Sequence, residues 1–144
     1  MREITSSIDI AASPEQVWDV LVDFAGYSTW NPFIREGAGQ AVVGETLVLK
    51  MYPENGKPMT FRPRVLEAER GRTLKWLGRF VLPGLFDGAH SFVLTATPQG
   101  THLVQSEAFK GLLVPFLGSM IEGTSRNFAR LNEALKQEVE QRAG

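Results

Sequence analysis

The stretch ASPEQVWDVLVDFAGYSTWNPFI, residues 12–34, joins a complete helix signature to a dense aromatic turn. Ser13 stands at the N-cap, Pro14 at the first helical position, and Gln16 three residues after the cap, the spacing of a capping box. Val17, Leu21 and Phe24 then form an inward stripe, with Trp18 beside them. Phe24, Tyr27 and Trp30 recur at every third residue, so a short helical turn brings all three to one side. Asn31-Pro32 ends that turn, because proline has no N–H and disfavours helix in the residue before it. So much aromatic area in one connection has two readings, a plug on one side of the core or a wall of a ligand cavity. The rest of the chain decides between them.

Upstream, REITSSIDI puts Ile4, Ile8 and Ile10 on one phase of a first strand. Downstream, Leu47, Leu49 and Met51 alternate with Val48, Lys50 and Tyr52, and ENGKP (54–58) supplies an Asn-Gly hairpin signal. MTFRPRVLEAERG follows as one strand, with Phe61 and Val65 facing one way and Arg62 and Arg64 the other. Pro63 within it marks an edge or a bulge. Leu74, Trp76 and Phe80 alternate with Lys75, Leu77 and Arg79, and HSFVLTATPQGTHLVQSEAF reads as a further hairpin turning at Pro98-Gln99-Gly100. Ile121, Phe128, Leu131, Leu135 and Val139 then mark one long amphipathic helix. The order predicts a single α+β domain, residues 1–144, built on one antiparallel sheet.

Composition excludes several classes. With 144 residues, 43% of them hydrophobic, the chain is long enough to bury a real core. A net charge of −1 favours neither nucleic acid nor an anionic membrane as partner. No cysteine is present, which removes disulfides and thiol catalysis and fits a reducing compartment. MREITSSIDI has no apolar h-region, and the longest apolar run, GLLVPFLGSMI (111–121), is too short and too broken to span a bilayer. A cytoplasmic protein without stable membrane insertion, though with transient membrane contact open, is expected; oligomeric state is not readable.

Geometry favours the cavity. Gly118, Ser119, Gly123, Thr124 and Ser125 make the first half of the last helix thin, and packing of the helix alone would not select two glycines there. A thin half-helix over a curved, aromatic-rich sheet leaves space of the kind that holds a ligand. ASPEQVWDVLVDFAGYSTWNPFI, the strand-rich middle, DGAHSFVLTATPQGTHLVQSEAFKGLL and the terminal helix together resemble the START-like (SRPBCC) superfamily. Within it the sequence looks most like the polyketide cyclase/dehydrase and lipid-transport group. That resemblance implies a helix-grip fold, a curved antiparallel sheet wrapped around the C-terminal helix with an internal apolar cavity. It implies lipids, quinones, sterols or polyketides as ligands, with functions that vary across the superfamily.

The chemistry sits on the last hairpin. If Phe92 and Leu94 face inward, so does His90; if Leu103 and Phe109 do, so do Gln105 and Glu107. A two-residue turn at Gln99-Gly100 pairs Phe92 with Glu107 and His90 with Phe109, leaving His90 and Glu107 diagonal neighbours, conditional on register. A buried charge needs a partner, so this pair either fixes strand register, contacts a ligand, or performs acid/base work. His102 falls on the outward phase, so no metal site forms, and no dinucleotide loop, P-loop or nucleophile elbow is present. Ser106 reads as a surface hydroxyl, and Arg62, Arg64, Lys75 and Arg79 as a solvated basic stripe or a dock for an acidic partner. No cofactor is expected. Met51, Phe61, Trp76, Phe92 and Trp30 are expected to line an apolar wall, Gly123 to leave it open, and His90, Gln105 and Glu107 to orient a polar end of the ligand. Leu82 and Phe86 in FVLPGLF (80–86), and Leu113 and Phe116 in GLLVPFLG (111–118), form apolar connections that act as a gate or as a closed lid. The expected function is binding of a hydrophobic small molecule for transport, sequestration or presentation. A cyclase/dehydratase using His90 and Glu107 is the alternative, and an interaction module with a vestigial cavity a third reading.

Overall fold

Strand β1 (Arg2–Ile10) opens the chain and pairs antiparallel with the last strand, β8 (Gly100–Lys110), from Arg2 opposite Phe109 to Ile10 opposite Thr101. A computed structural model describes residues 2–53, 56–79 and 82–144. After β1, the capping box forms as its sequence requires. Ser13 Oγ accepts the Gln16 backbone N–H at 3.2 Å, and Gln16 Oε1 accepts the Ser13 backbone N–H at 2.9 Å. Helix α1 (Pro14–Leu21) buries Val17, Trp18, Val20 and Leu21. It stops short of Phe24, which sits in a separate 3-10 turn (Phe24–Gly26) leading into the four-residue helix α2 (Tyr27–Trp30).

The expected single sheet is two. β1 and β8 join β7 (Asp87–Thr97), β6 (Thr73–Arg79) and β5 (Arg64–Glu69) in the order β1-β8-β7-β6-β5, while β2 (Ile34–Ala38), β3 (Val48–Met51) and β4 (Met59–Phe61) form a three-stranded sheet. The residues read as one strand from Met59 to Glu69 divide between the sheets at Arg62-Pro63. Pro63 cannot donate to a ladder, but its carbonyl accepts the Leu47 N–H at 2.8 Å, and an isolated bridge from Thr46 to Arg64 links the two sheets there. The Asn-Gly signal at residues 55–56 lies partly outside the described residues, as does Phe80. The strands flanking that signal do pair, Met51 opposite Met59.

The last hairpin turns one residue earlier than expected. Thr97 pairs with Gly100, so Pro98 and Gln99 form the loop, and His90 stands directly opposite Glu107 and Phe92 opposite Gln105. Gly100 is the reason. At φ +143°, it lies where an added Cβ would sit 2.3 Å from the Ile10 carbonyl oxygen, so this position belongs to the strand that β1 abuts. Ser106, expected to face solvent, is half-buried and bonded to Ser91 Oγ at 2.8 Å across the same ladder. The supposed basic stripe is broken up, for Lys75 stands opposite Glu67 and Arg79 lies 4.0 Å from Asp87.

Helix α3 (Gly118–Ala143) packs along the sheet, burying Ile121, Phe128, Leu131, Leu135 and Val139, the stripe its spacing predicts. Asn127 and Asn132 are buried with them. The main core joins α1, α2, both sheets and α3. A smaller cluster of Phe86, Phe109 and Ile121 closes the end near the start of α3.

Candidate functional site

Between the two sheets and the first half of α3 lies a cavity of about 810 Å³. Most of its wall is apolar. Met51 and Phe61 contribute from the small sheet, Trp76 from β6, and Phe109 from β8. The helix contributes Ser119, Gly123 and Thr124, and a Cβ added at Gly123 would meet only the Arg126 guanidinium, at 3.8 Å. The thin half of α3 therefore faces the cavity.

The aromatic stretch divides. Tyr27 and Phe24 are fully buried, edge to face with ring centres 5.5 Å apart, and Tyr27 Oη donates to the Leu21 carbonyl. Burial, then the neighbouring Asp23 carboxylate, push the Tyr27 phenol well above its usual pKa, so it stays a neutral donor. Trp30 packs half-buried against Tyr27 at 5.1 Å and does not line the cavity. Phe33 and Ile34 do, held in place because Asn31 Oδ1 accepts both of their backbone N–H groups, at 2.9 and 2.8 Å. Much of the stretch is thus core plug, and only its last two residues are cavity wall.

In the polar part of the wall, Glu107 and His90 both face the cavity, 7% and 4% exposed. His90 Nδ1 lies 2.9 Å from Glu107 Oε1, and His90 Nε2 lies 3.0 Å from Gln105 Oε1. Gln105 stands behind His90 rather than on the cavity surface. Its Nε2 donates to the Phe128 carbonyl at 3.2 Å and to Asn132 Oδ1 at 2.7 Å, and Asn132 Nδ2 donates to Ser6 Oγ at 3.2 Å. The imidazole stacks on Trp76 (4.9 Å, 26°), lies tilted against Phe92 and meets Phe128 edge to face. Phe92 is fully buried behind this stack and away from the cavity surface. Asn127 supplies a further amide to the wall, its Oδ1 accepting from Arg130 at 3.5 Å.

The apolar connections meet at one end of the cavity. The Leu112 and Leu113 N–H groups donate to the Gly84 and Leu85 carbonyls at 3.2 and 2.9 Å, so the two segments are stitched together. Phe86 and Leu113 line the cavity there, while Leu82 and Phe116 stand outside it, 63% and 81% exposed. Phe86 is 5% exposed and stacks on Phe109 with rings 5.5 Å apart.

Phe33 and Ile34 belong to the stretch read as plug or wall, whereas Asn127 and Phe128 were not expected in the wall. Phe128 was visible only as part of the buried stripe, and nothing in the pattern separates a buried Asn on a helix from an exposed one. Among the described residues no group of three or more His, Cys, Asp or Glu side chains converges to hold a metal ion. None of the described helices is long and apolar enough to cross a membrane.

Residues 1–140 match the family described as polyketide cyclase / dehydrase and lipid transport. The chain belongs to that family. Its fold recurs in solved structures at low identity. The Zhui aromatase/cyclase from a Streptomyces species superposes with a TM-score of 0.82 at 18% identity, over 99% of this chain and 96% of that one. Protein MLL2253 from Mesorhizobium loti gives 0.78 at 22% identity, over 99% of each chain. The di-domain aromatase/cyclase StfQ of the steffimycin biosynthetic pathway gives 0.79 at 15% identity, over 99% of this chain and 51% of that one. No curated protein sequence matches. These likenesses establish the helix-grip fold for this chain, five curved antiparallel strands and a smaller sheet of three set around the long C-terminal helix.

Proposed function

We propose that this protein binds a hydrophobic small molecule, a lipid, quinone or polyketide-like ring, in the cavity beneath α3. One observation carries the reading: an apolar cavity of about 810 Å³ with a buried His90–Glu107 pair in its wall. Such volume, mostly apolar with a few convergent polar groups, is the usual form of a small-molecule site. Met51, Phe61, Trp76, Phe33 and Ile34 surround the ligand body, and the pair meets its polar end. Phe86 and Leu113 sit where the ligand enters, with the exposed Leu82 and Phe116 at the rim. The test is uptake of an environment-sensitive apolar dye such as an anilinonaphthalene. Wild type is expected to bind it, and Gly123→Leu, which fills the cavity from the helix side, to lose binding while its circular dichroism and melting temperature stay native-like. Absence of dye uptake by wild type refutes the proposal.

A second reading, a cyclase or dehydratase, is favoured by the same pair, because a carboxyl and an imidazole share one hydrogen bond at the cavity surface. It requires turnover of a polyketide or enone substrate. Glu107→Gln, which cannot exchange a proton, is expected to abolish that turnover without abolishing binding.

A further inference from the structure

The hydrogen-bond network behind the pair fixes the direction of each bond from His90 Nε2 through Gln105 to Asn132. The Phe128 carbonyl can only accept, so the Gln105 group that meets it is the NH2, and Gln105 Oε1 must face His90. His90 Nε2 therefore carries hydrogen and donates to Gln105. Both NH2 hydrogens of Gln105 are then engaged, by Phe128 and by Asn132 Oδ1, and this orients Asn132 to donate to Ser6. What remains is the 2.9 Å line between His90 Nδ1 and Glu107 Oε1. Two acceptors at that distance would repel, so the line holds one proton, on the nitrogen of an imidazolium or on the oxygen of a carboxylic acid.

Both placements have the same consequence at the cavity. His90 has no nitrogen left for a ligand. Glu107 Oε2 is an acceptor whichever partner holds the shared proton, either as half of a carboxylate or as the carbonyl oxygen of the acid. We propose that at Glu107 the cavity selects a hydrogen-bond donor on its ligand, a phenol, alcohol or N–H, and discriminates against ethers, esters and ketones at that point. Glu107 is the contact residue; His90, Gln105 and Asn132 are positioning residues that keep its free oxygen an acceptor. This rests on the binding reading above and adds the chemistry of the polar end.

The same logic makes an uncommon demand on a variant. In Glu107→Gln, the neutral His90 Nδ1 is an acceptor, so the new amide turns its NH2 toward the ring and its oxygen toward the ligand. The donor preference survives loss of the acid. In Glu107→Leu it does not.

The experiment titrates wild type, Glu107→Gln and Glu107→Leu with 2-naphthol, 2-methylnaphthalene and 2-methoxynaphthalene, beside the dye. One hydrogen bond to a buried acceptor corresponds to roughly tenfold or more in dissociation constant. Wild type and Glu107→Gln are expected to prefer 2-naphthol over both analogues by at least roughly tenfold, and Glu107→Leu to bind all three alike. Nitrogen-15 NMR of the imidazole is expected to show Nε2 protonated in wild type and in Glu107→Gln. Equal binding of the three naphthalenes by wild type overturns the inference while leaving the binding reading intact. A neutral Nδ1–H tautomer, or a Glu107→Gln protein that has lost the preference, also overturns it. If neither the dye nor any naphthalene binds, both proposals fall together.

Discussion

At the scale of single residues, Gly100 carries two constraints. Its φ of +143° is a region that L side chains rarely adopt, and an added Cβ would lie 2.3 Å from the Ile10 carbonyl and 2.8 Å from the Ala12 N. The neighbouring Thr101 Oγ1 donates to the Ala12 carbonyl at 2.7 Å, so the end of β1 is drawn tightly onto the start of β8. Gly100→Ala is expected to destabilise the fold by about 1–3 kcal/mol of backbone strain, plus whatever displacement of β1 the clash forces. Gly84, also at positive φ, is the internal control: a Cβ there has nothing within 4 Å, so Gly84→Ala bears strain alone. Thermal melts of the two variants separate the contributions. Equal losses would mean that the close approach to Ile10 is harmless.

At the scale of elements, what the sequence disclosed depended on whether one period decided the outcome. The capping box at Ser13 and Gln16, the alternation in β8 and the stripe of α3 are local patterns, and each formed where its residues put it. His90, Gln105 and Glu107 were placed on the inner face by the same alternation. Their true pairing depended on where the turn falls, beside the Gly100 contact with β1 far away in sequence, so the partner of each residue was two positions out while its face was right. The division of residues 59–69 between two sheets was hidden for a similar reason, since Pro63 signals a break but not where the chain goes next. Buried Asn127 and Asn132 carried no signal at all. Another such long-range contact is the tie between α3 and the β1–α1 connection. Glu140 Oε2 accepts the Ala11 N–H at 2.8 Å and Lys136 Nζ at 2.7 Å, while Lys136 also reaches the Asp9 carbonyl. The Ala11 N–H, then Lys136, hold the Glu140 carboxyl below the usual carboxylate pKa. A lowered folded-state pKa means the contribution is complete above the unfolded value of about 4.3 and is lost as pH falls through the folded value. Glu140→Gln is expected to cost on the order of 1 kcal/mol or less at pH 7, since the site is partly exposed. The gap from wild type is expected to narrow as the pH drops below about 4. Urea titrations at both pH values check this; a gap that widens in acid would refute the tie.

At the scale of the whole molecule, the helix-grip arrangement separates two jobs between the ends of α3. From Phe128 onward the helix fills the core with bulk, and before it Ser119, Gly123 and Thr124 leave room. The half from Phe128 onward is closed by packing. The other end is bounded by two connections that hydrogen-bond each other and by the Phe86, Phe109 and Ile121 cluster. The segments proposed as a gate therefore contain two kinds of residue. Phe86 is stacked and buried, so Phe86→Ser is expected to cost about 2–5 kcal/mol, as removal of a core side chain does, with a matching fall in melting temperature. Phe116, 81% exposed, holds nothing together, so Phe116→Ser is expected to leave the melting temperature within about 1 °C. If the rim gates entry, that same substitution changes dye on- and off-rates together and leaves the dissociation constant within roughly threefold, because a gate acts on passage and not on the bound state. Stopped-flow mixing beside thermal melts reads both quantities in one set of proteins. Unchanged rates in Phe116→Ser and Leu82→Ser would show that ligand passes elsewhere, and that the stitched loops are a fixed wall.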